Sequence, residues 1–241
     1  CRFGGGTFYS VGFNWWGSKR DERMVQGMRV KICGITNSED AIFCESSGAE
    51  FLGFIFYRGS KRYIDPSAAL KIIQKLKPGT KKVGVFVNEE LEVVNKIVKE
   101  LELDFVKLHG DETPEYTAQV KCKTIKAFRI MDGFDYGIID KYGTSIPLFD
   151  TFSNNLYGGT GERFDWNGIP GKLKGQYFLS GGVSTENIKE VAASLRPFAV
   201  DVNSSLEKEP GIKDHNKVKD FFDLIGSLVE IKRGIDDVKQ K

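Results

Sequence analysis

The sequence predicts an α/β fold, a single-domain (β/α)₈ barrel whose eight strands run parallel. Short apolar segments alternate with segments of helical periodicity from residue 29 onward, and the alternation repeats eight times. Strict alternation of this kind implies parallel strands joined by helical crossovers. Eight units favour a closed barrel over an open sheet. The length of 241 residues fits as well, because such barrels typically have about 250 residues.

Eight apolar segments have the length expected of strands that are buried on both faces. They cover Val30–Cys33, Phe51–Phe56, Val83–Val87, Phe105–Leu108, Ile125–Phe128, Ile146–Phe149, Tyr177–Leu179 and Phe198–Val202. In a barrel the carboxyl ends of all eight strands meet at one mouth, where the active site lies. The residues at those ends are therefore the candidates for chemistry.

The intervening segments carry helix start and stop signals. The first opens at Ser38 and closes at Gly48, and the second has Pro66 in its first turn. Asn88 is predicted to cap the third helix, and Thr113 the fourth. The remaining helices are predicted over Phe134–Lys141, near Phe164–Leu173, from Ser184 to Ala192 and from Asp214 to Ile231.

Residues 1–27 differ in composition from the rest of the chain. The stretch from Cys1 to Gly17 is rich in glycine and aromatic residues and shows no clear period. It lacks the long apolar segment of a signal peptide. We expect the catalytic barrel to span residues 28–241. Residues 1–27 are then an N-terminal extension, either non-native or disordered, or an arm that packs on the barrel.

Composition and charge argue against several classes of protein. Apolar residues make up 40% of the chain and charged residues 28%, which suits a domain with a large core. The net charge is +2 and the charges are interspersed, so nothing favours a nucleic-acid or membrane-surface partner. No segment approaches the roughly 18 apolar residues of a membrane-spanning helix.

Cysteine and histidine usage predicts a reducing, cytoplasmic location and no metal site. The cysteines Cys1, Cys33, Cys44 and Cys122 are scattered and contain no Cys-x-x-Cys pair, unlike a disulfide scaffold. The two histidines are not spaced as zinc ligands.

Three predicted strand ends carry groups that can transfer protons. Cys33 ends the first strand, just before a glycine turn, where a thiol can act as a base or nucleophile or can be a small buried residue. Asp150 ends the sixth strand and is expected to be a general acid with a raised pKa, or else a helix cap or a partner of Arg129. His109 ends the fourth strand, as a proton or hydrogen-bond donor or as a structural residue.

The last two loops at the mouth match a phosphate site. Gly181 and Gly182 precede a predicted helix, and Asn203 and Ser204 lie in the next loop. Backbone N–H groups of glycine turns and helix starts bind phosphate dianions in many barrels. A glycine pair alone could be a tight turn, but two adjacent loops with this pattern favour a phosphate site.

Two other loops add less specific candidates. Gly158 and Gly159 lie in an unusually long loop, which could be a lid, a second set of phosphate donors or a plain surface loop. Arg62 follows the second strand in a basic segment. Its guanidinium can bind a carboxylate with two hydrogen bonds, or it can remain a solvated charge.

A series of motifs follows the chain in order. They are Lys31-Ile32-Cys33-Gly34-Ile35-Thr36, Ser60-Lys61-Arg62-Tyr63, Leu108-His109-Gly110, Phe149-Asp150-Thr151, Gly158-Gly159-Thr160-Gly161, Leu179-Ser180-Gly181-Gly182 and Val200-Asp201-Val202-Asn203-Ser204. Together they resemble the phosphoribosylanthranilate isomerases of tryptophan biosynthesis. The resemblance runs from about residue 29 to the C-terminal helix.

The resemblance implies an Amadori rearrangement of a phosphosugar substrate, without metal or organic cofactor, in a monomer or homodimer. It implies Cys33 as general base and Asp150 as general acid. Arg62, His109 and Asp201 would bind substrate. The phosphate site would comprise Gly158, Gly159, Gly181, Gly182, Asn203 and Ser204.

One departure from the family pattern concerns the last strand. The family usually reads Asp-Val-Ser-Ser-Gly-Val-Glu, whereas this chain has Ser205 in place of the glycine. We expect a Cβ there to be strained if φ is positive, and so to weaken phosphate binding or shift the loop.

Three other functions remain open at this level. A histidine-pathway Amadori isomerase usually employs two aspartates, and Cys33 argues against it. A lyase or synthase of the same pathway would need a catalytic lysine at a strand end, where none is clear. The third is a catalytically silent barrel used for binding.

Overall fold

The barrel predicted from the sequence is confirmed. A computed structural model describes residues 28–131, 133–151 and 166–239. Eight parallel strands pair in sequence order, and the first pairs with the last to close the barrel. The N-terminal extension, residues 1–27, lies outside the described residues. So do Gly158 and Gly159.

The strand bounds lie within a few residues of the apolar segments. They are β1 Arg29–Ile32, β2 Phe51–Ile55, β3 Lys81–Phe86, β4 Phe105–Leu108, β5 Lys123–Ile130, β6 Ile146–Thr151, β7 Phe178–Leu179 and β8 Ala199–Val202. The closing pair places Lys31 of β1 beside Asp201 of β8. This register brings two charged side chains together inside the barrel.

The first four crossovers contain regular helices. They are α1 Ser38–Ser47, α2 Pro66–Ile73, α3 Leu91–Leu101 and α4 Pro114–Ala118. The cap of α1 is Asn37, which accepts from the N–H of Asp40. The prediction that Asn88 caps α3 is wrong, because the helix begins at Leu91 and Glu90 occupies the cap position. Asn88 instead adopts a positive φ and accepts a hydrogen bond from the N–H of Asp111.

The later crossovers are less regular than predicted. The fifth contains a 3₁₀ helix, Tyr136–Tyr142, and the sixth contains two short 3₁₀ turns, Trp166–Gly168 and Gly171–Leu173. A three-residue helix, α5 Ile188–Glu190, continues as a π-helical turn through Leu195. Glycine and proline in the sixth segment account for its interruption.

The C-terminal segment adds a hairpin that the sequence reading missed. Strands β9 Glu207–Glu209 and β10 Ile212–Lys213 pair antiparallel after β8. The turn between them contains Pro210 followed by Gly211 with a positive φ of 89°, the residues that a type II turn favours. The last helix, α6, spans His215–Lys239. Among the described residues, no helix combines the length and apolar character needed to cross a membrane.

Two large hydrophobic clusters stabilise the barrel. The larger lies between the strands and the helices. The smaller fills the amino-terminal part of the barrel interior, where Phe51 packs edge-on against Phe105, Phe178 and Phe198 at ring-centroid distances of 5.7, 5.4 and 6.3 Å. The carboxyl-terminal part of the interior is left for polar residues.

Candidate active site

A cavity of about 690 Å³ opens at the carboxyl ends of the strands. Every candidate residue within the described part of the chain lines it: Cys33, Arg62, His109, Asp150, Gly181, Gly182, Asp201, Asn203 and Ser204. A second cavity, of about 570 Å³, lies beside α4 and the amino ends of β5 and β6, and none of these candidates lines it.

Cys33 is the first residue after β1, and its N–H donates to the carbonyl of Val202 at 2.9 Å. The residue is buried, in contact with a small apolar cluster that includes Ile55 and Val85. Gly53 of β2 leaves room for it, since a Cβ there would lie 2.9 Å from Sγ of Cys33 and 2.9 Å from Nζ of Lys31. The thiol therefore has an ammonium group as a close neighbour.

A buried charge triad forms the floor of the cavity. Asp201 accepts from Nζ of Lys31 at 2.7 Å through one oxygen and from Nζ of Lys107 at 2.8 Å through the other. Burial raises the pKa of Asp201, but Lys107 and Lys31 outweigh it and lower the pKa to about 2. Burial lowers the pKa of Lys107, but Asp201, Cys33 and Asp150 raise it above its ordinary value. The triad is therefore ionised and carries one net positive charge.

Asp150 lies beside His109 on the wall of the cavity. Nε2 of His109 is 3.2 Å from Oδ2 of Asp150, and Nε2 has no other partner among the described residues. Burial, then Lys107, lowers the pKa of His109 against the opposing effect of Asp150, so the ring is neutral.

The charge state of Asp150 differs from the sequence-based expectation. Burial raises the pKa of this carboxyl, but contact with His109 and the nearby Lys107 ammonium outweigh burial, so the pKa lies below its ordinary value. The expectation of a raised pKa is wrong for this structure. The sequence could not show this lowered pKa, because Lys107 of β4 and His109, just past β4, are distant in sequence from Asp150.

The two predicted phosphate loops meet at the cavity. Gly181 and Gly182 have positive φ angles of 79° and 74°, which glycine adopts without strain. Neither N–H donates to an acceptor among the described residues. Asn187 holds this loop, because its Nδ2 donates to the carbonyl of Gly182 at 2.7 Å and its Oδ1 accepts from the N–H of Ser184 at 3.0 Å.

Arg62 reaches the same mouth from the loop after β2 and is not a solvated charge. Its guanidinium pairs with Glu207 of β9, with Nη2 2.7 Å from Oε2. Its stem passes close to Gly34, where a Cβ would lie 2.9 Å from Cδ of Arg62. The side chain therefore runs across the turn that follows Cys33.

Comparison with known proteins agrees with this site. A family model described as N-(5'phosphoribosyl)anthranilate (PRA) isomerase matches residues 30–224. The N-(5'-phosphoribosyl)anthranilate isomerase of Geobacter sp. (strain M21) is 43% identical over 194 residues, which cover 80% of this chain and 95% of that relative. The chain belongs to the N-(5'-phosphoribosyl)anthranilate isomerase family. It is therefore an isomerase of tryptophan biosynthesis.

Solved structures of the family support the assignment. The phosphoribosyl anthranilate isomerase of Thermus thermophilus has a TM-score of 0.76 and 38% identity, and the match covers 83% of this chain and 100% of that one. A second, solved in complex with reduced 1-(o-carboxyphenylamino)-1-deoxyribulose 5-phosphate, has a TM-score of 0.73 and 39% identity, covering 83% of this chain and 98% of that one.

Ser205 departs from the family pattern without the expected strain. Within the described part of the chain, only Asn88, Glu102 and Arg196 combine a side chain with positive φ. Ser205 instead lies in a 3₁₀ turn, Ser204–Leu206, and its hydroxyl donates to the carbonyl of Val183 at 2.8 Å. The premise of a strained backbone is wrong, and the hydroxyl links the two predicted phosphate loops.

The sequence analysis missed several charged residues at or near this cavity. Lys31 and Lys107 interrupt strands that are otherwise apolar, at positions that alternate with outward-facing residues. That pattern could have indicated buried lysines facing the cavity. Glu207 and Lys213 show no such alternation, because they lie in the hairpin that the apolar pattern did not predict. Among the described residues, no three histidine, cysteine or acidic side chains cluster as a metal site would require.

Proposed function

We propose that this isomerase converts N-(5-phosphoribosyl)anthranilate to 1-(2-carboxyphenylamino)-1-deoxyribulose 5-phosphate, with Asp150 as general acid and Cys33 as general base. The observation that supports this most is that the thiol and the carboxylate line one cavity with the two glycine loops. Two proton transfers suffice for the reaction, so neither a metal nor an organic cofactor has to take part.

The chemistry divides between the two groups. Asp150 protonates the furanose ring oxygen, and the ring opens to a Schiff base between the sugar and the anthranilate nitrogen. Cys33, as a thiolate, then removes the proton from C2, and the electron pair moves to the nitrogen to give an enolamine. Tautomerisation of the enolamine yields the ketone.

Asp150 must hold a proton for the first step, although the protein alone lowers its pKa below the ordinary value. The substrate brings a phosphate dianion and a carboxylate, and it displaces water from around Asp150. Added negative charge and desolvation both raise the pKa of a carboxyl group. We therefore expect substrate binding to bring Asp150 into a range where it can donate.

The remaining candidates position the substrate. Gly181, Gly182, Asn203 and Ser204 would hold the phosphate, and Gly158 and Gly159 remain predicted members of that site. Arg62 would bind the anthranilate carboxylate, and His109 would steady Asp150. Both oxygens of Asp201 accept from lysines, so we assign Asp201 a supporting role beneath the substrate.

A lysine-dependent lyase or synthase fits the cavity less well. Lys107 does line the cavity, which the sequence reading did not anticipate. A nucleophilic lysine needs a lowered pKa, whereas that of Lys107 is raised by Asp201, Cys33 and Asp150 against the effect of burial. Its ion pair with Asp201 also occupies the ammonium.

The proposal is tested by replacing each proton-transfer group. In an assay that follows the loss of phosphoribosylanthranilate fluorescence, we expect Cys33→Ala and Asp150→Asn each to lower kcat about 10²- to 10⁴-fold. Thermal unfolding should show that both variants remain folded.

Cys44→Ala is the matched control for the thiol. Cys44 is also fully buried, but it lies in α1, away from the cavity. This variant should keep its kcat even where it loses some stability. Near-normal kcat in Cys33→Ala or Asp150→Asn would remove that residue from the mechanism.

We further infer that the enzyme works in a reducing compartment, the cytoplasm. The described cysteines, Cys33, Cys44 and Cys122, are all free thiols, and Cys33 has to remain reduced to act as a base.

A further inference from the structure

Glu207 is bound to Arg62 in an ion pair that engages two guanidinium nitrogens. Nε of Arg62 donates to Oε1 and Oε2 of Glu207 at 2.9 and 3.0 Å, and Nη2 donates to Oε2 at 2.7 Å. The Glu207 side chain is 4% exposed and that of Arg62 15% exposed. Burial raises the pKa of Glu207, but Arg62 and Lys213 outweigh it, so the carboxylate is ionised.

The hairpin that carries Glu207 also fixes its carboxylate from the other side. Lys213 of β10, fully buried, donates from Nζ to Oε1 of Glu207 at 2.9 Å and to Oδ1 of Asn203 at 2.9 Å. The N–H of Gly211 donates to Oε1 at 3.2 Å. Lys217 of α6 donates to the Glu207 carbonyl at 2.9 Å. Glu207 is therefore an anchored group rather than a loose surface charge.

The ion pair leaves one edge of the guanidinium available to a ligand. Glu207 engages Nε and Nη2 of Arg62, while Nη1 donates to no acceptor within the described residues. Burial lowers the pKa of Lys213, with Glu207 opposing that effect. Arg62 is therefore the cation of this cluster that lines the cavity.

We propose that Glu207 is a positioning residue that fixes the guanidinium plane of Arg62 for a substrate carboxylate, and that Lys213 anchors Glu207. The inference rests on the proposed function, in which Arg62 binds the anthranilate carboxylate. A long, unrestrained side chain loses rotational freedom when it binds a ligand. Holding Arg62 in place beforehand removes most of that cost, and contact through both Nε and Nη2 sets the direction of the remaining donor.

The opposite role for Glu207 has an opposite signature. If Glu207 competed with the substrate for Arg62, its removal would strengthen binding and lower KM. If it positions Arg62, its removal raises KM for a ligand that carries the carboxylate and leaves a ligand without it unchanged.

The test compares two ligands in Glu207→Gln. One is phosphoribosylanthranilate, and the other is the phosphoribosyl adduct of aniline, which lacks only the carboxylate. We expect KM for phosphoribosylanthranilate to rise about 10- to 100-fold, the range that follows from a lost charge-assisted hydrogen bond. The value of kcat should stay within about threefold, since the loss is in binding. The Kd of the aniline adduct, measured by calorimetry, should not change.

Lys213→Met provides a second variant, because it removes the anchor and keeps both Arg62 and Glu207. It should raise KM for phosphoribosylanthranilate by a smaller factor, with the Kd of the aniline adduct again unchanged. Should Glu207→Gln fail to fold, Lys213→Met and Glu207→Asp carry the same comparison.

Asp104→Asn is the matched control. Its carboxylate also pairs with lysines and accepts from the N–H of Lys82, but at the amino-terminal ends of β3 and β4, so KM should not change. An unchanged or lower KM in Glu207→Gln, or equal weakening of both ligands, overturns the positioning role. If the unsubstituted enzyme itself fails to turn over phosphoribosylanthranilate, the proposed function fails instead.

Discussion

The two halves of the barrel interior contain contrasting side chains, which are mainly aromatic at the amino-terminal end and mainly charged or polar at the carboxyl-terminal end. Phe51, Phe105, Phe178 and Phe198 fill the amino-terminal half with edge-on aromatic contacts. The carboxyl-terminal half holds a buried aspartate between two lysines, with Cys33, His109 and Asp150 above it. Aromatic burial stabilises a fold, whereas buried ion pairs contribute little or cost stability. The residues that stabilise the fold and those proposed to carry the chemistry are thus separated along the barrel axis.

A single strand contributes to both halves. On β4, Phe105 lies in the aromatic cluster, Lys107 in the charge triad, and His109, just past the strand, beside Asp150. The three positions share one face because side chains alternate along a strand with a period of two. Each step of two residues toward the carboxyl end therefore moves from the aromatic cluster to the charge triad and then to the proposed site of proton transfer.

The largest expected effect on stability comes from the aromatic half. Phe51→Ala should lower the free energy of unfolding by about 3–5 kcal/mol, the usual cost of emptying a buried phenylalanine site. That corresponds to a fall in Tm of about 10 °C. The kcat of the folded enzyme should stay close to its original value. Calorimetry and the fluorescence assay measure the two quantities separately.

Cys33→Ala is the variant whose stability and kcat should be compared with those of Phe51→Ala. Loss of stability without loss of kcat in one variant, and the reverse in the other, would support the separation of the two halves. A fall in kcat of Phe51→Ala comparable to that of Cys33→Ala would contradict it.

The charge triad should connect stability to pH. The pKa of Asp201 is about 2 when folded, against an ordinary value of 3.8. A lowered pKa contributes stability above the ordinary value, and that contribution is lost as pH falls from about 4 to about 2. Asp201→Asn should remove this part of the acid dependence. It should also cost on the order of 3 kcal/mol, because Lys31 and Lys107 lose their buried partner.

Urea unfolding from pH 2 to pH 7 checks the triad. Asp104→Asn is again a suitable control, because its carboxylate is about a third exposed and should cost less than about 1 kcal/mol. If the free energy of unfolding of Asp201→Asn still falls between about pH 4 and pH 2 as it does in the unsubstituted enzyme, the triad does not act through this carboxylate.

The sequence predicts the barrel and the mouth well because both depend on local pattern. Apolar segments mark the strands, and the strand ends mark Cys33, His109 and Asp150. The predictions that fail concern side chains whose partners are distant in the sequence. The pKa of Asp150 depends on His109 and Lys107, and the partner of Arg62 is Glu207, 145 residues away. No periodicity in the chain reports such pairings.

The two halves of the chain also differ in how well local pattern predicts them. The first three crossovers contain helices of 8 to 11 residues, and the side chains of Asn37 and Asp65 cap the first two. The later ones contain 3₁₀ turns and a three-residue helix. Glycine and proline lower the helix propensity there, and tertiary packing decides the outcome.

The smallest expected effect concerns Ser205, where this chain differs from its family. Its hydroxyl ties the loop after β8 to the carbonyl of Val183 in the loop after β7, and the two loops form the proposed phosphate site. A single hydrogen bond contributes about 0.5–1.5 kcal/mol, so Ser205→Gly should raise KM by about two- to tenfold and leave kcat unchanged. Ser205→Ala separates loss of the hydroxyl from added backbone freedom, and it should give the same rise if the hydrogen bond is the cause. A lower KM in Ser205→Gly would mean that the serine hinders phosphate binding, as a strained loop would have done.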